Sequence, residues 1–181
     1  MKSYDYAHRF GVRQITWNDF ASLAARLAEL LEPFQPQVIL GIARAGLFPA
    51  TAVACSLRRE LFPIRLTRRL NDEVIYDHPI WKVSVPQEVS GKIVAVVDEI
   101  ADTGQTLSMV ADNATALGAV QVVTASLVSH SWADPFPQVS ALVSDEFVIF
   151  PWDEQVLVDG KWIAHPEIIA GVKAQTGSSR V

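Results

Sequence analysis

Apolar residues recur along this chain at two different periods. After Phe20, positions Leu23, Ala24, Leu27 and Leu30 follow at three- and four-residue spacing, the stripe of an amphipathic helix. Thr16 and Asp19 stand ahead of it as a capping box with Asp in place of Glu, and Pro33 bounds its end. "QVILGI" (37–42) is by contrast almost wholly apolar, as a strand buried on both faces should be. "ARAG" follows, and "LFPATAVACSLRR" predicts a second helix with Pro49 in its first turn, where a missing N–H does little harm. "LFPIRL" reads as a second strand, "KIVAVVD" as a third, Gln105 to Leu117 as a third helix and "AVQVVTASLV" as a fourth strand. The stretch from Thr67 to Ser90 is polar, irregular and long, and loops of that length in compact domains are commonly functional.

This alternation predicts an α/β fold with a mostly parallel central sheet flanked by helices. The C-terminal third breaks the alternation: "VSALV" and "FVIF" are short apolar pieces among Pro and Trp residues, which predicts a small subdomain capping the sheet. The chain is therefore divided as one domain over 1–181, with a core over about 14–130, a hood over about 131–165 and a partly frayed tail over 166–181.

Composition narrows the class. A chain of 181 residues, half of them apolar and 19% charged, is long enough for a substantial core. No apolar run reaches the length that spans a bilayer, and "MKSYDYAHRFGVRQ" lacks the apolar stretch of a secretory signal, so a cytoplasmic protein is expected. Cys55 is the single cysteine; it excludes an internal disulfide and is expected to be a buried small apolar residue. A net charge of −5 argues against general nucleic-acid binding. Arg58, Arg59, Arg65, Arg68 and Arg69 nevertheless cluster closely enough for a local anion site.

The chemistry concentrates in "IVAVVDEIADTGQTLSMV" (93–110). A strand ends in Asp98 and Glu99, and Ala101, Asp102, Thr103, Gly104, Gln105 and Thr106 then form a small-residue loop that opens a helix. Open parallel sheets bind ligands at the carboxyl ends of their strands. The free N–H groups of the helix start, its dipole and two Thr hydroxyls make a phosphate cradle there. The loop has no lysine, which disfavours nucleoside triphosphate hydrolysis of the Walker type. Two carboxylates beside a phosphate cradle suit the hydroxyls of a sugar phosphate, with or without Mg2+.

"VVDEIADTGQTL", preceded by Val94 and Ala95, resembles the phosphoribosyl-pyrophosphate signature of the type I phosphoribosyltransferases: four apolar residues, two acids, two small or apolar residues, then Asp-Thr-Gly-x-Thr. "GIARAGLFPA" resembles the family's pyrophosphate loop, and "ITWNDFASLAARLAELL" and "EFVIFPWDE" are similar to the first helix and hood of its microbial and archaeal purine members. The resemblance implies the type I phosphoribosyltransferase fold and transfer of the 5-phosphoribosyl group from phosphoribosyl pyrophosphate to a nucleobase, with Mg2+ and release of pyrophosphate. A 6-oxopurine (hypoxanthine, guanine or xanthine) is the expected acceptor. Another base, or a regulator that binds the donor without turnover, stays open.

By position, the resemblance implies that Asp98 and Glu99 hold the ribose hydroxyls, directly or through Mg2+, and that 101–106 hold the 5-phosphate. Asp102 becomes the general base beside the purine imidazole nitrogen. Arg44, Ala45 and Gly46 would lie against the pyrophosphate in a loop that often carries a non-proline cis peptide, with Arg68 or Arg69 arriving from the long loop. His130 falls where purine members carry a lysine that donates to the 6-oxo group. Phe147 would stack on the base, Val148 would offer its backbone to the base edge, and Asp153 could read an exocyclic amine. A homodimer or homotetramer is the expected assembly.

Overall fold

The computed structural model describes residues 9–67, 69–70, 73–76 and 79–177. The strands and helices follow in order as β1 (Val12–Gln14), α1 (Trp17–Leu31), β2 (Val38–Ile42), α2 (Leu47–Leu57), β3 (Glu60–Thr67), β4 (Arg69–Leu70), β5 (Glu73–Val74) and β6 (Ile80–Val83). Then come β7 (Ile93–Ala101), α3 (Gln105–Ala116), β8 (Gln121–Ser129), β9 (Val139–Val143), β10 (Phe147–Ile149), β11 (Gln155–Val158), β12 (Lys161–Ala164) and α4 (Pro166–Gly177). Short 3-10 turns occupy Glu32–Phe34 and Gln87–Val89. Among the described residues no helix is long and apolar enough to cross a membrane.

The residues form two compact units, one over Leu23–Val143 and the other made of the flanking segments up to Ser22 and from Ser144. The first unit is built on a six-stranded sheet of order β6-β3-β2-β7-β8-β9. Every neighbouring pair is parallel except β3 and β6. All five residues of β2 are buried, which explains why "VILGI" carries no polar position. Val38, Leu40, Ile42, Val94 and Val96 of the central strands join Leu107, Val110 and Ala114 of α3 in one apolar cluster. That cluster holds the carboxyl ends of β2 and β7 in fixed relation.

Three expectations change here. "VSALV", assigned to the hood, is β9, the sixth strand of the main sheet; its alternating buried Val139 and Ala141 are the period-two signal of an edge strand. The supposed long loop after Thr67 contains the β4–β5 hairpin and β6, which pairs with β3 and packs Trp81 against the core. "IWKV" was too short for periodicity to reveal. Pro166–Gly177 form α4, and residues 178–181 of the tail expected to be partly frayed lie outside the described residues. Cys55 is exposed: α2 turns Pro49, Ala50, Val53 and Ala54 inward and leaves Cys55 on its outer side.

In the second unit, β1 runs parallel to β10 and β11 forms a hairpin with β12 across Asp159 and Gly160, both at positive φ as a primed hairpin turn requires. Thr16 and Asp19 cap α1 reciprocally: the Thr16 N–H donates to the Asp19 carboxylate at 2.9 Å, and the Asp19 N–H to the Thr16 hydroxyl at 3.1 Å. Trp152 stacks on Phe150 at 4.9 Å and meets Phe20 edge-on at 5.4 Å.

Candidate functional site

Three loops leave the same edge of the first unit's sheet: 43–46 after β2, 102–104 after β7 and 130–138 after β8. Parallel pairing of adjacent strands forces them together, because Gly41 sits opposite Val97, and Asp98 and Ala101 sit opposite Ser126 and Ser129. Two of the loops lead into helices, α2 after Gly46 and α3 after Gly104, so two helix starts point to this edge.

Asp98 is 8% exposed, and the Glu99 N–H donates to its Oδ1 at 2.9 Å. Burial first, and the adjacent Glu99 carboxylate second, push the Asp98 carboxyl well above the ordinary carboxylate range. Its Oδ1 also faces the first loop: a Cβ at Gly46 would lie 2.6 Å from that oxygen and 2.5 Å from the Ile42 carbonyl oxygen. Only glycine fits there, and the contact ties the acid to the backbone of the loop expected to hold pyrophosphate. Arg44 is exposed and Ala45 partly exposed in that loop, whose Ala43–Arg44 peptide is cis. Glu99 is the more accessible of the two acids.

The 101–106 segment turns at Gly104, whose φ of 76° opens α3. A Cβ at Gly104 would collide with the Pro135 carbonyl oxygen, so the third loop lies directly on this one. Two backbone bonds hold the loops together on either side of Asp102: His130 N–H donates to the Ala101 carbonyl at 3.0 Å, and Asp134 N–H to the Thr103 carbonyl at 3.1 Å. Thr103 and Gln105 are exposed, Thr106 is partly exposed, and the Thr103 hydroxyl lies 3.5 Å from the Gln105 N–H. The N–H groups of the first turn of α3 have no acceptor within their own helix, as helix geometry dictates.

The structure thus brings Asp98, Glu99, Asp102, the 101–106 loop and 44–46 to one edge. His130 joins them differently from expectation. Its side chain is fully buried, its Nε2 lies 4.0 Å from Asp102 Oδ1, and its ring stacks on Trp132 at 4.4 Å. It faces the acid and the indole, not solvent. Trp132, which sequence reasoning passed over, donates its indole N–H to Asp102 Oδ1 at 3.2 Å. Its one sequence signal is an aromatic residue inside a polar, Pro-containing turn.

Phe147, Val148 and Asp153 belong to the second unit. Phe147 and Val148 are buried in β10, and the Phe147 ring packs over Gly171 of α4. Asp153 is partly exposed, and its N–H donates to the Phe150 carbonyl. Arg69 lies in β4, and Arg68 lies outside the described residues.

The family model described as the phosphoribosyl transferase domain matches residues 14–159. A purine phosphoribosyltransferase from Pyrococcus horikoshii is similar at 28% identity and a TM-score of 0.71, over 82% of this chain and 98% of its own. The xanthine-guanine-hypoxanthine phosphoribosyltransferase of Helicobacter pylori shares the fold at 19% identity and a TM-score of 0.61, over 78% and 92%. So does a hypothetical protein from Neisseria gonorrhoeae with bound ppGpp, at 21% identity and a TM-score of 0.65, over 92% and 98%.

Proposed function

The chain belongs to the phosphoribosyltransferase family, enzymes of the pentosyltransferase class, and from that premise we propose that it transfers the 5-phosphoribosyl group of phosphoribosyl pyrophosphate to a 6-oxopurine. The observation that carries the reading is the convergence of Asp98, Glu99 and the Gly104 loop with 44–46 at one sheet edge. The similarity to the Pyrococcus purine enzyme supports a purine over other acceptors.

In this reading the first turn of α3 and the hydroxyls of Thr103 and Thr106 hold the 5-phosphate. Glu99 and Asp98 take the ribose hydroxyls, and Arg44 with the backbone of Ala45 and Gly46 takes the pyrophosphate. A ring nitrogen of the base attacks carbon 1 of the ribose as the bond to pyrophosphate oxygen breaks. Asp102 accepts the proton that the imidazole ring of the base loses as the new bond forms. The transition state has oxocarbenium character, so the groups act mainly by positioning and by carboxylate charge near the developing cation.

The donor set fits Mg2+. Two adjacent carboxylates, one of them buried and held above its ordinary pKa, are hard oxygen ligands whose mutual repulsion a cation relieves. Asp98 and Glu99 would hold it, and the ion would neutralise charge on the departing pyrophosphate. A homo-oligomer, as the resemblance implies, remains part of the proposal.

The test is pyrophosphate release from phosphoribosyl pyrophosphate and Mg2+ with hypoxanthine, guanine, xanthine, adenine, uracil and orotate. We expect turnover with one or more of the three 6-oxopurines. Turnover confined to adenine, uracil or orotate overturns the acceptor and keeps the donor. Absence of turnover with all six overturns the enzyme reading for these bases.

A further inference from the structure

We propose that Trp132 is a positioning residue for Asp102, setting the rotation of the carboxylate that accepts the base's proton. The inference rests on the transferase reading above and deepens it. Its ground is a contact that the sequence resemblance did not supply: the indole N–H of Trp132 donates to Asp102 Oδ1 at 3.2 Å.

A side chain can orient another only if it is itself held. Trp132 sits in a turn anchored at both ends to the loop that carries Asp102. The His130 N–H donates to the carbonyl before Asp102 and the Asp134 N–H to the carbonyl after it, so residues 130 and 134 bracket position 102. Within the turn the Ala133 N–H donates to the His130 carbonyl at 3.1 Å, and Ala133 is buried in the main apolar cluster. The plane of the indole is fixed as well. It lies 15° from the plane of the His130 imidazole at 4.4 Å, and that imidazole is fully buried. His130 is then the base plate under the indole.

Asp102 itself is partly exposed, with a side chain 28% accessible. An Asp in a solvated loop samples several rotamers, and a hydrogen bond from a fixed donor narrows them. Orientation matters because a general base must reach its proton at hydrogen-bond distance in a defined direction. Trp132 acts on the reaction through Asp102.

The experiment compares Trp132→Phe, which keeps an aromatic ring over His130 and removes the N–H, with Trp132→His, which restores a ring N–H. For Trp132→Phe we expect kcat to fall about ten- to a hundredfold, the range of one hydrogen bond to a charged group. KM for phosphoribosyl pyrophosphate and the thermal midpoint should stay close to the parent, and Trp132→His should recover part of the loss. In an Asp102→Ala background Trp132→Phe should cause no further loss, since a residue acting through Asp102 has nothing left to act on. Independently of turnover, the indole N–H resonance that disappears in Trp132→Phe should shift in Asp102→Ala.

An unchanged kcat, a loss that multiplies with Asp102→Ala, or an effect confined to KM for the base overturns the proposal; the last would place the ring on the base. A resonance indifferent to Asp102→Ala overturns the contact itself. A parent protein silent with every base overturns the transferase reading and the catalytic role with it. In that case the resonance still reports whether the contact exists.

Discussion

Asp98 combines two demands that a single side chain rarely meets. It is buried beside another acid, which favours its protonated form, and it stands where the proposed donor and Mg2+ need a carboxylate. Because its folded-state pKa is raised, the folded chain retains a proton that the unfolded chain releases. The resulting stability is complete below the ordinary value of 3.8 and is lost as pH rises through the folded value. Asn cannot release that proton, so Asp98→Asn should remove this loss and leave the protein more stable than its parent at neutral pH in metal-free buffer. Guanidinium midpoints between about pH 4 and about pH 8 measure this, and a variant less stable at neutral pH refutes it. The place of the two acids near the carboxyl end of β7 was legible from sequence because they follow an unbroken apolar run. The orientation of His130 was not, since burial and ring stacking arise from a turn whose path no local pattern encodes.

Elements were legible in proportion to their length and period. The stripe of α1, the apolar run of β2 and the strand-to-helix passage at β7 and α3 all lie where the pattern placed them. β6 escaped because four residues carry too little periodicity to separate an edge strand from a loop, and β9, although visible as an apolar piece, carries no local sign of which sheet it joins. The α1 start was readable down to its bonds, Thr16 and Asp19 exchanging their two N–H groups as the capping pattern predicts. Thr16→Ala should therefore destabilise the protein by about 1 kcal/mol. For a chain of this size that lowers the thermal midpoint by roughly 2–4 °C, which calorimetry resolves. No change in midpoint would mean that α1 is held by its packing alone.

Across the whole molecule, protection from solvent is unequal. β2 is wholly buried, β7 and β8 are mostly so, while β11 and β12 expose Leu157, Val158, Trp162 and Ile163. Amide hydrogen exchange of the monomer should be slowest in β2, β7 and β8 and faster by orders of magnitude in the β11–β12 hairpin. Equal rates would show that the two units open together.

The Pro135 carbonyl against Gly104 makes one mechanical part out of two stretches that are about thirty residues apart in the chain. Loop 101–106, the proposed phosphate site, has no slack of its own on that side: its shape is a cast whose mould is the link from β8 to β9. Redesigning the loop is then a problem of two segments, and a library that varies 101–106 with 131–136 frozen explores mainly sequences the mould rejects.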